Sequence, residues 1–284
     1  MGHTAILDKI CNIAKQENLE SVLLTFFPHP RFVVNNDAEI KLLNTMSEKA
    51  ILLGQKGIQN FIIHPFDKLF SELSPREFVA QILVKQLNIQ KIIIGYDHKF
   101  GKNRAADFND LIAFGKEFGF EVEEISAKQV DEVSVSSTKI RNSLLEGNIS
   151  LANTYLGYSY MLSGIVVKGN QLGRTIGFPT ANIEISENYK LIPKNGVYIV
   201  TAIVNNQTIF GMMNIGIKPT LGDDVPTIEV HLLDFSEDIY NQKIQVNVIE
   251  RLRDEQKFES FEALKSQLEI DKINTVDYFK KGNS

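Results

Sequence analysis

GVYIVTAIVN (196–205) and QTIFGMMNIG (207–216) are two runs rich in β-branched and aromatic residues, parted at asparagine. Such side chains fit a pleated, half-buried surface, and Asn or Gly punctuates the runs between turns. Further segments of this texture lie on both sides: YMLSGIVVKG (160–169), TIEVHLLDF (227–235) and QKIQVNVIERL (242–252). Several strands at short spacing predict a small antiparallel β-barrel from about residue 158. A helix is expected at about 258–269, followed by a charged, solvated tail.

The first half reads differently. SVLLTF (21–26), NFII (60–63) and KIIIGY (91–96) are short apolar runs, the pattern of parallel strands covered on both faces, and a further strand fits 121–126. Helical patterns lie at 4–17, about 38–53, 75–87 and 107–118. Ser74 before Pro75, with Glu77 following, is a helix start. This βαβ rhythm predicts a doubly wound α/β domain. Domains of this kind open on a strand, whereas MGHTAILDKI opens on a helix, so the first strand is expected to be lacking. Residues 141–157 read as two short helices that join the halves. The expected division is 1–157 and 158–284.

Bulk properties narrow the function. The 284-residue chain has a net charge of −5, which argues against a nucleic-acid binder because no basic excess faces the phosphates. Cys11 is the single cysteine, so neither an internal disulfide nor a four-cysteine zinc site can form. No secretory leader and no apolar run near ~18 residues is visible, which predicts a cytoplasmic protein with no membrane partner. Oligomeric state is not legible.

GRTIGFPTAN (173–182) carries the first chemistry. Backbone without Cβ at Gly169, Gly173 and Gly177 can approach phosphate oxygens closely, with Lys168 and Arg174 supplying charge. Thr180 and Asn182, two apart in an extended segment, point to one side and offer hard oxygen donors that suit Mg²⁺. A glycine-rich hairpin followed by an edge strand has the same composition. Neither G-x-x-x-x-G-K-[ST] nor G-x-G-x-x-G occurs, so ATP would need another architecture. In TIEVHLLDF, period two puts Glu229 and His231 on one face and Ile228, Val230 and Leu232 on the other. Glu229 is then either a base for a substrate hydroxyl or a solvent-facing glutamate. SSTKIR (136–141) offers a capped helix start with Lys139 and Arg141 within a turn. It suits a pyrophosphate, or is an ordinary cap. His29 and Asp97 follow strands at the carboxyl edge, where doubly wound folds bind ligands, and either also suits a turn.

Taken together, KGNQLGRTIGFPTANI (168–183), GVYIVTAIV, MNIGIKPT (213–220) and TIEVHLLDF resemble the riboflavin kinase domain. TFFPHPRFVV (25–34), IIGYDHKFGKNR (93–104) and VSSTKIRNSLLEGNI (135–149) resemble the nucleotidyltransferase domain fused to it in bacterial bifunctional riboflavin kinase/FAD synthetases. The resemblance implies that Thr180 and Asn182 hold Mg²⁺ and ATP phosphates, and that Glu229 takes the proton of the riboflavin 5′-hydroxyl. It implies FMN adenylylation in the first half, with Ser137, Thr138 and Arg141 at the nucleotide and His29 and Asp97 as further site candidates. The family's H-x-G-H element matches Met1, Gly2 and His3 at its last three positions, which makes His3 a catalytic candidate. Its first histidine and first strand have no counterpart. Either the start lies upstream or this half is damaged. A kinase alone, or a flavin- or nucleotide-binding module without catalysis, are the alternatives.

Overall fold

Each strand predicted for the first half forms, and each finds a parallel partner. The structure is a computed structural model that describes residues 2–34, 40–95, 99–125, 136–169, 171–217 and 226–282. Helix α1 (Gly2–Glu17) leads into β1 (Val22–Phe27), and α2 (Pro30–Val34) follows it. Next come α3 (Met46–Gln55), β2 (Asn60–Pro65), α4 (Lys68–Ser71) and α5 (Pro75–Phe78). Helix α5 opens on the predicted capping box of Ser74 and Glu77, then widens into a π-helical segment over Val79–Gln86. After β3 (Lys91–Gly95), α6 (Phe108–Phe118) is capped by Asp107 and returns to β4 (Glu121–Ile125).

β1 pairs with β2 and β3 with β4, both parallel. Among the described residues no hydrogen bond joins the two pairs, so the doubly wound sheet is present as two two-stranded pieces. No strand precedes α1 among the described residues. Val79, Leu83, Ile94, Leu111 and Phe120 form the core of this half.

The second half holds the barrel. α7 (Ser137–Glu146) and α8 (Ile149–Leu156) precede β5 (Tyr160–Val167), α9 (Leu172–Thr175), β6 (Ala181–Glu184) and β7 (Gly196–Val204). β8 (Gln207–Ile217), β9 (Pro226–Leu232), β10 (Lys243–Arg253) and α10 (Phe261–Gly282) complete it. The strands close in the order β10-β5-β6-β9-β8-β7. Alternate residues such as Leu162, Tyr198, Val200, Met213, Val230 and Val246 fill the interior, while closure leaves no free edge.

Two expectations are corrected. The helix expected at 38–53 starts only at Met46. Thr45 and Glu48 form its capping pair, at 3.1 and 3.0 Å. Leu42 bridges to Lys190 and exchanges backbone bonds with Tyr189 and Leu191, so this stretch runs extended. The tail beyond 269 is helical to Gly282. Its two buried side chains are polar, while half-buried Phe279 stacks on Phe210 at 3.9 Å: Asp271 takes two bonds from Arg253 Nε and a third from Nη2, and Thr275 donates to the Asp271 carbonyl.

The chain divides into two compact units, Met1–Ile40 with Lys49–Ser134, and Lys41–Glu48 with Val135–Ser284. Segment Lys41–Glu48 is tied to the barrel unit by a buried ion pair. Lys190 Nζ donates to Glu48 Oε2, Leu43 O and Met161 O, each at 2.6 Å. Glu48 Oε1 accepts from Ser163 N at 2.9 Å, and both side chains are wholly buried. Burial lowers the Lys190 ammonium from its ordinary 10.5, with the Glu48 carboxylate opposing that.

Candidate active site

The glycine-rich stretch and the glutamate strand, 49 residues apart, meet on neighbouring strands. β6 and β9 run antiparallel with Asn182 directly opposite Glu229 and Ala181 opposite Val230. Opposite residues of such a pair share a sheet face. Thr180, one step before β6, donates its hydroxyl to Glu229 Oε2 at 3.3 Å. On the other flank, β8 sets Asn214 opposite Glu229. Asn182, Glu229 and Asn214 therefore form one row across three strands, a carboxylate between two amides.

The glycines have a steric reason. A Cβ on Gly169 would stand inside 3.0 Å of Asn182 Nδ2, Cγ and Oδ1. Bare backbone there lets the chain leaving β5 run close against the Asn182 amide, which a Cβ would push aside. A Cβ on Gly173 would overlap the Phe178 carbonyl, and Phe178 N donates to Gly173 O at 2.8 Å. The turn is thus folded back on itself, with α9 as its short helical part. Lys168 and Arg174 are exposed on either limb, Lys168 with its ammonium 6.0 Å from the Tyr240 ring. Bare backbone stands beside the Thr180–Asn182–Glu229 group at two points: Gly169 lies against the Asn182 amide, and a Cβ on Gly173 would lie 3.7 Å from Thr180 Cγ2.

His231 lies on the Glu229 side of β9, as the alternation predicts, yet it is buried. Its ring packs on Phe178 at 5.1 Å, and Nδ1 lies 2.8 Å from the Pro179 carbonyl. Burial lowers its pKa from the ordinary 6.5, against the pull of the Pro179 carbonyl.

The first-half candidates fall on several elements. His29 sits just past β1 at the carboxyl edge, and its Nδ1 accepts from Arg31 N at 3.2 Å. His3 lies in the first turn of α1. Asp97 falls outside the described residues. His64, which the sequence reading passed over, closes β2 beside β1, with its ring 4.5 Å from Phe70. In SSTKIR the cap is Ser136, which accepts from Lys139 N at 3.3 Å, leaving Ser137 and Thr138 exposed in the first turn of α7. Arg141 Nε donates to the Lys41 carbonyl at 2.9 Å. These three belong to the barrel unit, His3 and His29 to the other.

Sequence reading missed Asn214 and gave His231 no role. The first stood in the quoted MNIGIKPT, and its signal is a register that only the closed barrel reveals. Among the described residues no helix is long and apolar enough to cross a membrane, and no group of three or more His, Cys, Asp or Glu is arranged to hold a metal.

Comparison with known proteins identifies the family. The FAD synthetase family model matches residues 1–139 and the riboflavin kinase model residues 156–279. A Listeria monocytogenes bifunctional riboflavin kinase/FMN adenylyltransferase is 38% identical over 99% of this chain and 89% of its own length. The Bacillus subtilis protein of the same description is 35% identical over 98% of this chain and 89% of its own length. A Streptococcus pneumoniae crystal structure described as a macrolide-efflux protein superposes with a TM-score of 0.82 at 30% identity, covering 96% of this chain and 89% of the other. With both family models matched in order, and relatives of one description aligned along nearly its whole length, the chain belongs to the bifunctional riboflavin kinase/FMN adenylyltransferase family.

Proposed function

We propose that this chain phosphorylates riboflavin to FMN in the barrel domain, residues 158–284, and adenylylates FMN to FAD in residues 1–157. The observation that carries the first step is the Thr180–Glu229 contact beside a turn in which a Cβ at Gly173 would overlap the Phe178 carbonyl. Glu229 accepts the proton of the 5′-hydroxyl as its oxygen bonds to the γ-phosphorus of ATP. The bond from that phosphorus to the β,γ-bridging oxygen breaks, and ADP leaves. Phosphoryl transfer asks little covalent help of a protein, so positioning and charge neutralisation supply most of the rate. Bare backbone at Gly169 and Gly173 lets phosphate oxygens come close, and Lys168 and Arg174 neutralise them.

The donor set fits Mg²⁺. The Thr180 hydroxyl and the Asn182 side-chain oxygen would hold it beside the Glu229 carboxylate, all hard oxygens, with water completing the shell. When bound, the ion neutralises phosphate oxygens.

In the second reaction a phosphate oxygen of FMN attacks the α-phosphorus of ATP, and pyrophosphate leaves. Ser137, Thr138 and Arg141, at the N-terminal turn of α7, are the proposed pyrophosphate contacts, where free N–H groups favour anions. His3, His29 and Asp97 are proposed for the α-phosphate side. Both reactions draw on ATP, which supports a cytoplasmic location.

The test is a time course with riboflavin, ATP and Mg²⁺, the flavins separated by chromatography. FMN should rise first and FAD follow. FMN accumulating alone would confine the chain to the kinase step. No FMN from folded protein would overturn the kinase assignment and favour a binding module.

A further inference from the structure

We propose that His231 is a positioning residue of the phosphoryl-transfer site, its imidazole holding the Phe178–Thr180 turn so that the Thr180 hydroxyl stands against Glu229. The inference rests on the riboflavin kinase reading above and assigns a role to a residue that takes no part in the chemistry. The backbone ladder between β6 and β9 runs only from Ala181–Val230 to Asn182–Glu229. One step further the register would set Thr180 opposite His231, and there the backbone pairing has ended. The His231 side chain continues it: Nδ1 bonds the Pro179 carbonyl at 2.8 Å. A carbonyl oxygen only accepts, so Nδ1 carries the hydrogen. Proline has no N–H, so its carbonyl is the one backbone group by which residue 179 can be held.

The turn is fixed at a second point. Phe178 N donates to Gly173 O at 2.8 Å, and the Phe178 ring, 6% exposed, packs on the imidazole at 5.1 Å. The same histidine therefore fixes the direction of the carbonyl before Thr180 and the ring before that. An apolar side chain of similar size would keep the packing and lose the direction. Thr180 would then swing relative to Glu229, and displacements near 1 Å in such sites cost up to ~10²-fold in rate.

The experiment uses the full chain with two variants. His231→Leu fills the space without a donor. His231→Asn keeps a donor close to the place of Nδ1. Initial rates of FMN formation from riboflavin, and of FAD formation from supplied FMN, are measured beside long-range ¹⁵N–¹H spectra of the wild-type imidazole. His231→Leu should lower kcat for FMN formation about tenfold, the equivalent of ~1.4 kcal/mol. KM for riboflavin should move less than about twofold, the split expected when a group acts in the transition state alone. His231→Asn should recover most of the loss, FAD formation should be unchanged in both, and the spectra should show Nδ1 protonated. A packing role alone would leave His231→Leu near wild type and make the smaller His231→Asn the slower variant, and that result, an equal loss in both variants, or an unprotonated Nδ1 would each overturn the proposal. A wild type that forms no FMN would sink the kinase reading, while the spectra would still decide the hydrogen bond.

Discussion

Replacing Lys190 with methionine should destabilise the barrel unit far more than an ordinary core substitution. The ammonium has no exposure and makes three bonds of 2.6 Å, to Glu48 Oε2, Leu43 O and Met161 O. Methionine fills the volume and supplies no donor. Two carbonyls lose a partner, at about 1–3 kcal/mol for each buried group left unmade. Glu48 keeps the amides of Thr45 and Ser163, at 3.0 and 2.9 Å, but loses its counter-charge in a fully buried place. Removing one partner of a buried pair costs ~3–5 kcal/mol, a large share of a total near ~5–15 kcal/mol. Glu48→Gln should cost less, because an amide tolerates burial and Lys190 keeps both carbonyls. The double variant Lys190→Met/Glu48→Leu should fall short of the sum of Lys190→Met and Glu48→Leu measured singly by ~0.5–3 kcal/mol, since neither charge is then stranded. Urea unfolding followed by tyrosine fluorescence is the assay, the chain having eight tyrosines and no tryptophan. A Lys190→Met loss under about 1 kcal/mol, or strictly additive single changes, would refute the ion-pair reasoning.

Gly169→Ala should cut FMN formation by up to ~10²-fold with FAD formation from FMN intact, because its Cβ displaces the Asn182 amide; flavin chromatography reads both rates. Asp271→Ala should cost ~3 kcal/mol and raise amide exchange in the last turns of α10, because Arg253 loses its buried carboxylate; exchange mass spectrometry localises the effect. His231 titrates below its ordinary 6.5 in the folded chain, so just under pH 6.5 the unfolded chain binds more protons and stability falls as pH falls. Lys272 pushes the same way and Asp234 opposes it, and in His231→Asn this part of the pH dependence of the unfolding midpoint should vanish.

The sequence shows most of the elements because local signals and burial agree in them. Ser74-Pro75-x-Glu77 predicts a helix start, and the alternation of TIEVHLLDF puts Glu229 and His231 together on β9. The failures share a cause in distant pairing. Residues 41–44 carry an apolar, helix-compatible pattern, but their backbone bonds go to residues 189–191, more than 140 positions away. The last turns of α10 obscure their inward face because its two buried positions are Asp271 and Thr275 rather than leucine, with Asp271 made tolerable by Arg253. At the site, Thr180, Asn182 and Glu229 are legible as residue types. Asn214 and the bond from His231 to Pro179 depend on the register of a closed barrel, which no local pattern encodes.

The central claim is that Glu229, set between Asn182 and Asn214 and touched by Thr180, is the base of riboflavin phosphorylation. Its most direct test is Glu229→Gln in the full chain, with FMN formation from riboflavin and FAD formation from supplied FMN measured in parallel. The glutamine keeps the volume and loses the proton acceptor. FMN formation should fall by ~10²–10⁴-fold while FAD formation stays within about twofold of wild type. An unchanged rate of FMN formation, or an equal loss in both reactions, would contradict the assignment.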